Sequence, residues 1–300
     1  MHYSCTYNLP FGTINIYYSK EFKFHVLGKA NYTTKFSNKN VIYNVFFNEV
    51  SDIKDDSYRA KQMRKGVYLG HNIGKPCCFS YKDNNFYIFS NDFLISDYEK
   101  VFWNFILKFI LTKESINNSG LHLKGTLIQT PNNKNCLLLG KGESGKTTIA
   151  KELENNNFKI LSNTHCLMKG KYFWGINSWT RIRNKNDEKF YLPVTIPTLE
   201  GILDKVYIIQ SNNKSENQIK NLNDIQSYTY TKYFSSAIIN YDLKEEIYDY
   251  CSKNLFEFSN IMETDAKLLK EFCSMLPIKY ANIDILNSES KNAFIKELIK

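Results

Sequence analysis

Polar and apolar residues alternate over much of the first hundred residues, and this pattern predicts β-strands. Aromatic and β-branched side chains dominate four stretches that polar turn clusters separate: residues 11–18, 22–27, 41–47 and 86–94. A two-residue period is typical of a sheet that buries one face. The first third of the chain is therefore expected to be mostly β-structure.

The pattern changes at residues 101–111, where an apolar run is broken only by single polar residues. This run predicts a buried helix, because a helix that crosses a bilayer needs about 20 predominantly apolar residues. The polar residues 113–120 that follow indicate a boundary. We therefore divide the chain into a β-rich region, residues 1–112, and a core, residues 113–300.

Strands and helices alternate in the second part of the chain. Residues 121–130 and 136–139 predict two strands joined by the short turn 131–135, and only antiparallel strands can be joined so closely. Further elements are expected along the remaining sequence: strands at 158–161, within 201–210 and at 278–285, an exposed loop at 211–224, and a helix over 266–276 with the polar residues 263–265 at its start. These elements predict an α/β fold of the mixed α+β kind, with a mixed sheet.

A glycine-rich segment directly after the 136–139 strand matches the phosphate-loop pattern G-x-x-x-x-G-K-[ST] without a gap, and an amphipathic helix start follows it. Glycines allow successive backbone N–H groups to turn inward and form an anion-binding nest at the helix N-terminus. The candidate cofactor-binding residues are Gly140, Gly142, Glu143, Ser144, Gly145, Lys146, Thr147 and Thr148. The motif predicts a site for ATP or another nucleoside triphosphate together with Mg²⁺.

Individual roles follow from the chemistry of the loop side chains. Lys146 is expected to reach the β- and γ-phosphates, and the Thr147 hydroxyl is the candidate metal ligand. Glu143 could orient an attacking group, but a carboxylate that faced the γ-phosphate would be repelled, so we expect it to point to solvent. The alternative is a glycine-rich turn without a ligand, which five matched positions in the right context disfavour.

Composition narrows the range of partners. The net charge is +9, yet the basic residues are mostly lysines scattered along the chain, which argues against nucleic acid as a partner. The seven cysteines are odd in number and form no C-x-x-C pair, which argues for reduced thiols, with Cys136 and Cys273 as small core residues. No basic stretch followed by an apolar one opens the chain, so we expect no secretory signal, no membrane span and a cytoplasmic location.

Several elements, taken in order, resemble the HPr serine kinase-like family over roughly residues 90–290. They are a strand with His122, the hairpin, the phosphate loop, a strand that begins about ten residues later, the pair Arg181 and Arg183, and the closing segment 275–280. Within this family, the chain is most similar to the short kinase-like proteins of peptide natural product clusters, including lasso-peptide kinases. A second glycine-rich signature, expected of a true HPr kinase/phosphorylase, has no counterpart.

The resemblance implies a fold and an activity. The fold would be a P-loop kinase core of the HPr kinase/phosphoenolpyruvate carboxykinase type, with the β-rich residues 1–112 as a candidate lobe for recognition of the acceptor. The activity would be phosphoryl transfer from ATP and Mg²⁺ to a hydroxyl group of a peptide or a small molecule. A homo-oligomer is one alternative for the assembly.

The sequence departs from the family where paired aspartates usually follow a strand: it has Asn163 and Thr164, and then His165. Asparagine cannot accept a proton, and a neutral pair holds Mg²⁺ weakly. In one interpretation, His165 or His122 takes the proton, while the triphosphate and Thr147 hold the metal ion. In the other, catalysis is lost, and the chain is a nucleotide-binding regulatory or scaffold protein.

The remaining candidates are charged side chains whose position the sequence leaves open. Arg181 and Arg183 lie two residues apart on a predicted strand and therefore share a face, so they could clamp the phosphoryl group or remain surface charges. Four acidic residues could supply a missing metal ligand: Asp187, Glu188, Glu200 and Asp204. The candidate catalytic residues are thus Lys146, His165, His122, Asn163 and Arg183.

Overall fold

The fold of the chain combines mixed sheets, in which parallel and antiparallel strands lie side by side, with helices packed on them. The computed structural model describes residues 3–18, 32–49, 67–69, 77–90, 95–141, 144–176, 179–183, 189–193, 200–211, 217–235 and 255–300. The expected α/β fold with a mixed sheet is confirmed at this level.

A six-stranded sheet forms the N-terminal part. Its strands are β1 (Tyr3–Leu9), β2 (Gly12–Tyr18), β3 (Val41–Glu49), β4 (Val67–Leu69), β5 (Cys77–Lys82) and β6 (Asn85–Ser90), in the order β1-β2-β3-β6-β5-β4. Alternate residues of β2 are buried, as the sequence pattern predicts. The strand predicted at 86–94 is confirmed for residues 86–90, which belong to β6. The predicted strand at 22–27 and residues 91–94 lie outside the described part of the chain.

The buried helix expected at 101–111 is confirmed and is longer than predicted. It comprises α1 (Ile95–Val101), a π-helical segment (Phe102–Ile106) and α2 (Leu107–Asn117), which follow one another without a break.

The segment 113–120, expected to form a boundary, is helical in its first half, because residues 113–117 belong to α2. The polar side chains there are partnered inside the fold: the buried Glu114 accepts a hydrogen bond from the hydroxyl of Tyr43, and the Ser115 hydroxyl donates to the Thr112 carbonyl at 2.8 Å. Helix α2 therefore runs through the division between residues 1–112 and 113–300.

A nine-stranded sheet forms the core. Its strands are β7 (Leu121–Gln129), β8 (Asn135–Leu139), β9 (Lys159–Ser162), β10 (His165–Lys169), β11 (Tyr172–Ile176), β14 (Glu200–Ile202), β15 (Lys205–Ser211), β16 (Gln218–Asn221) and β17 (Ile278–Ile283). Their order is β14-β11-β10-β7-β8-β15-β17-β16, and β9 also pairs with β7. A separate two-stranded sheet consists of β12 (Trp179–Arg183) and β13 (Lys189–Pro193). The predicted hairpin is confirmed, since β7 and β8 are antiparallel, whereas β8, β15 and β17 are parallel.

Helices cover both faces of the core sheet. They are α3 (Lys146–Glu154), α4 (Asp224–Lys232), α5 (Leu255–Met275) and α6 (Ser288–Ile299). Leu127 and Leu137 share a cluster with Leu269 of α5, whereas Ile128 and Leu138 on the opposite face pack with residues of α3 and α6. Because both faces are covered, β8 and β15 are nearly continuous apolar runs.

Two expectations for the C-terminal part are corrected. The segment 211–224, expected to be an exposed loop, contains β16. The polar residues of β16 pair with β17 and cover the edge of that strand. The last long helix begins at Leu255, well before the residues 263–265 that were expected to start it. Asp265 does not cap the helix; it is buried and accepts a hydrogen bond from the Ser235 hydroxyl at 2.7 Å.

The described cysteines, Cys5, Cys77, Cys78, Cys136, Cys166 and Cys273, are free thiols. Cys136 and Cys273 are buried in the core as predicted, whereas Cys251 lies outside the described residues. In the part of the chain that the structure describes, no helix has both the length and the apolar character needed to cross a membrane.

Candidate phosphate-binding site

The glycine-rich loop connects the carboxyl end of β8 with the amino end of α3. Strand β8 lies between β7 and β15, and its last residue, Leu139, is opposite Gly125 of β7. Helix α3 begins at Lys146, so the strand, loop and helix predicted from the motif are present in that order. Gly142, Glu143 and the side chain of Thr147 lie outside the described part of the chain.

Two glycines of the loop occupy positions that a side chain cannot easily take. Gly145 has a φ of +82°, and a Cβ there would lie 2.7 Å from Cγ2 of Ile285. A Cβ on Gly140 would lie 2.8 Å from the backbone carbonyl oxygen of Ile209 and 2.5 Å from the Ser144 hydroxyl. The backbone can therefore pass close to β15 at Gly140 and close to Ile285 at Gly145 only because these residues are glycines.

The ammonium group of Lys146 is held by oxygen atoms of the loop itself. It donates hydrogen bonds to the carbonyl of Gly140, to the carbonyl of Lys141 at 2.7 Å and to the hydroxyl of Ser144 at 3.1 Å. Burial, and secondly the nearby Lys124, lower the pKa of Lys146 from 10.5 to about 8. The loop thus places a partly desolvated cation at the N-terminus of α3, where the helix dipole also favours negative charge.

Two further side chains border the loop. Thr148 lies on the first turn of α3, and its side chain is exposed. Tyr233 is 51% exposed, and Nζ of Lys141 lies 5.5 Å from the centre of its ring. An exposed aromatic ring offers a surface on which a nucleobase could stack. No motif in the sequence indicates that Tyr233 lies beside the loop.

The two candidate histidines are brought together by β7 and β10. His122 Nε2 and His165 Nδ1 are 3.0 Å apart, and Nδ1 of His122 is 3.1 Å from the Thr112 hydroxyl of α2. Both rings are buried, with exposed fractions of 0% and 3%. The sequence placed each histidine near the loop but did not predict that they form a hydrogen bond with each other.

Burial keeps both histidines neutral. It lowers the pKa of His122 to about 3 and that of His165 well below its usual value, and the nearby Lys108 and Lys124 act in the same direction. A neutral imidazole has one N–H donor and one acceptor nitrogen, so the chain from Thr112 to His165 can be satisfied in either direction. A general base works best when its pKa lies near the working pH, so storing a proton on either ring would be costly.

Asn163 and Thr164 form the bend between β9 and β10, beside the strand that flanks the loop. The Thr126 hydroxyl donates to the Asn163 carbonyl at 2.9 Å, and the backbone N–H of Gly125 donates to the Thr164 carbonyl at 2.9 Å. Gly125 therefore has the bend on one side and Leu139 on the other. Since neighbouring strands are about 4.8 Å apart, the bend lies about two strand spacings from the start of the loop.

The acidic candidates that are described lie elsewhere. Asp204 accepts a hydrogen bond from the backbone N–H of Asn135 at 2.8 Å, at the amino end of β8, opposite the loop. Glu200 accepts from the backbone N–H groups of Thr33 and Thr34 at 3.0 and 2.9 Å. Asp187 and Glu188 are outside the described residues. Across the described ranges, no three His, Cys, Asp or Glu side chains gather in a metal-binding group.

Arg181 and Arg183 lie on β12, opposite Tyr191 and Lys189 of β13. Their side chains are outside the described part of the chain, so the expected phosphoryl clamp stays a prediction. Lys124, in contrast, is a described charge next to the loop that sequence reasoning missed. The signal was present in the strand pattern, because Lys124 is two residues from His122 and therefore shares its face.

Comparison with models of known protein families finds none that matches this chain, and comparison with curated proteins likewise finds no match.

Proposed function

We propose that this protein is an ATP- and Mg²⁺-dependent kinase with an HPr kinase-like core, which transfers a phosphoryl group to a hydroxyl of a peptide or small molecule. The observation that carries the proposal is the loop between β8 and α3, with Lys146 at its centre. A hairpin strand, β7, flanks this loop on one side and the parallel strand β15 on the other, an arrangement in keeping with the resemblance.

The loop fits a triphosphate. Lys146 already binds three oxygen atoms of the loop, and phosphate oxygens could take their place with the same hydrogen-bond geometry. Gly140 and Gly145 leave the backbone free to follow the phosphates closely. The N–H groups of the first turn of α3 supply further donors, because the first four have no intrahelical partner.

The residues near the loop fit a metal ion less well. The motif assigns the Thr147 hydroxyl to Mg²⁺. In the bend, Asn163 offers only a neutral amide oxygen, which accepts a hydrogen bond from the Thr164 hydroxyl at 3.2 Å. Mg²⁺, when bound, would neutralise charge on the β- and γ-phosphates. In this site it would be held mainly through phosphate oxygens and Thr147.

Positioning and charge dominate the chemistry that we propose. The transition state of phosphoryl transfer is loose, so catalysis depends more on neutralised phosphate charge than on a strong base. Lys146 would stabilise the γ-phosphoryl oxygens, and Arg183 would add a second contact if its face of β12 meets the loop. The neutral pair of His122 and His165 would accept a hydrogen bond from the attacking hydroxyl, and the proton of that hydroxyl would pass to an oxygen of the transferred phosphoryl group rather than stay on an imidazole.

The acceptor is proposed to bind where the N-terminal sheet meets the core sheet. Leu167 and Trp174 of the core belong to the same hydrophobic cluster as the N-terminal sheet, and the rings of Phe36 and Trp174 are 5.1 Å apart. Glu200 also binds Thr33 and Thr34. The described residues of the N-terminal part thus pack against β10, the strand that contains His165, and against β11, a location suited to presenting a hydroxyl. Maturation of a peptide natural product is the biological setting that we propose.

Transfer of the γ-phosphate tests this function directly. Purified protein is incubated with ATP labelled in the γ-position, Mg²⁺ and candidate peptides from neighbouring genes, and compared with Lys146→Met. Labelled peptide that depends on Lys146 is the expected result. Absence of both transfer and ATP hydrolysis, with Lys146→Met equal to the wild type in nucleotide binding, would refute the proposal.

Asn163 favours a second candidate function, a nucleotide-binding regulatory or scaffold protein without turnover. An amide at this position cannot act as a base and binds metal ions weakly. ATP binding without turnover, together with activity restored by Asn163→Asp, would identify the chain as an impaired kinase.

A further inference from the structure

Lys124 lies on β7 where the parts of the phosphate site meet. The next residue, Gly125, is opposite Leu139, the last residue of β8 before the loop, and its N–H binds the Thr164 carbonyl of the bend. Lys124 itself is opposite His165 in the pairing of β7 with β10 and is partly exposed. Lys124, which precedes Gly125 on β7, therefore lies next to the start of the phosphate loop.

The side chain of Lys124 is on the face of the sheet that α3 covers. Residues two apart on a strand share a face, so Lys124 lies on the same face as Thr126 and Ile128. Ile128 packs in one hydrophobic cluster with Ile149 and Leu153 of α3. The loop that leads into α3 is on this face too, and Lys124 is thus directed to the same side of the sheet as the phosphates would be.

Electrostatic coupling agrees with this geometry. Burial is the main cause of the lowered pKa values of His122 and His165, and the nearby Lys108 and Lys124 add to it. Lys124 also lies close enough to Lys146 to interact with it electrostatically. Cations that are close enough to perturb one another repel, and the repulsion is relieved when an anion binds between them. An anion bound at the loop would therefore interact favourably with both Lys124 and Lys146.

We propose that Lys124 is a second phosphate-binding cation of the nucleotide site. Together with Lys146, it supplies beside the loop the positive charge that the neutral Asn163 and Thr164 cannot recruit through a metal ion. The inference rests on the proposed nucleotide-binding function and deepens it. An ammonium group is a compact charge that binds phosphate oxygens directly, so the site holds the triphosphate even without Mg²⁺.

The experiment measures ATP binding by titration calorimetry in Mg²⁺ and in EDTA, for wild type, Lys124→Met, Lys146→Met and a control. The matched control is Lys205→Met, which removes the same charge from a partly exposed lysine of the core sheet. Lys205 is opposite Cys136, at the amino end of β8, and so lies at the edge away from the loop. Thermal unfolding of each protein without nucleotide is recorded in parallel.

We expect Lys124→Met to weaken ATP binding in EDTA about tenfold or more, because a hydrogen bond to a charged group is lost. The control should change the dissociation constant by less than about twofold. Lys124→Met should remain folded at the temperature of the titrations, which the thermal unfolding curves check. Weaker ATP binding by a fully folded protein is a combination that a purely structural role would not give.

Three results of the titrations would overturn the inference. Lys124→Met could bind ATP as tightly as the wild type in EDTA, or the wild type could lose more than about a hundredfold in affinity when Mg²⁺ is removed. If neither the wild type nor any variant binds ATP, the proposed function fails and this inference fails with it.

A second experiment needs no variant: lysine residues of the wild type are acetylated chemically, and the labelling is read by mass spectrometry. ATP should slow the labelling of Lys124 and leave the labelling of Lys205 unchanged. Equal labelling of Lys124 with and without ATP refutes its contact with phosphate.

Discussion

The depressed pKa of the loop lysine has a consequence for stability that can be measured without any substrate. In the folded protein, burial and Lys124 hold the pKa of Lys146 at about 8, against 10.5 for an unperturbed lysine. Between these two values, the unfolded chain binds a proton that the native site gives up. The free energy of unfolding therefore rises with pH across this interval. Replacement of Lys146 by Met removes the titrating group, and with it this part of the pH dependence.

The size of the effect follows from the two pKa values. A group that binds one proton more in the unfolded state than in the native state contributes about 1.4 kcal/mol per pH unit. Integrated between about pH 7 and about pH 9.5, the contribution of Lys146 amounts to about 2 kcal/mol. Other groups that titrate in this range are the same in both proteins, so they cancel when the variant is subtracted.

Urea unfolding followed by circular dichroism supplies the two free energies at each pH. We expect the wild-type value minus the Lys146→Met value to increase by about 2 kcal/mol from the lower to the higher pH. A difference that stays constant, or that decreases, would refute the view that the loop holds a partly desolvated lysine. Lys205→Met, at the far edge of the sheet, serves as the control and should show no such change.

Other predictions follow from individual contacts. Gly145→Ala should destabilise the protein more than Gly170→Ala: both positions have positive φ, +82° and +58°, but only at Gly145 does an added Cβ meet side-chain atoms closer than 3 Å. The shared backbone strain is about 1–2 kcal/mol, and urea unfolding should resolve the excess at Gly145; equal losses would contradict the close contact. His122→Gln should weaken the pH dependence of the free energy of unfolding at acid pH. The free energy of unfolding of the wild type falls by about 1.4 kcal/mol per pH unit below the unperturbed histidine pKa, because the buried neutral ring must then take up a proton on unfolding. The same pH dependence in both proteins would show that His122 is not buried in neutral form. Tyr43→Phe should cost about 1–3 kcal/mol, because it leaves the buried Glu114 carboxylate without its hydroxyl donor; a neutral result in denaturant unfolding would show that water replaces the hydroxyl.

Much of the core could be predicted from the sequence because its signals are local. The strand before the loop, the loop and the start of α3 are specified by one uninterrupted motif, and the turn at 131–135 is too short for anything but a hairpin. The same reasoning did not predict that the polar segment 113–117 is part of a helix. Its side chains look solvent-exposed in the sequence, whereas tertiary partners such as Tyr43 and the Thr112 carbonyl satisfy them inside the fold.

The site was harder to predict, since its parts come from separate strands. The sequence placed His122 and His165 near the loop individually, but their hydrogen bond depends on the register between β7 and β10. Lys124 was not predicted to belong to the site, because nothing in a single sequence shows that its neighbour Gly125 lies between the loop and the bend. Register is a tertiary property, and a shift of one residue would move Lys124 to the opposite face.

The equilibrium binding of ATP to the wild type and to Lys146→Met, measured by titration calorimetry, tests the nucleotide site most directly. We expect saturable binding of about one ATP per chain by the wild type and a loss of at least about a hundredfold in affinity in the variant, because its loop lacks the ammonium that faces the phosphates. No binding by the wild type, or equal binding by the two proteins, would contradict the assignment of this loop as a nucleotide site.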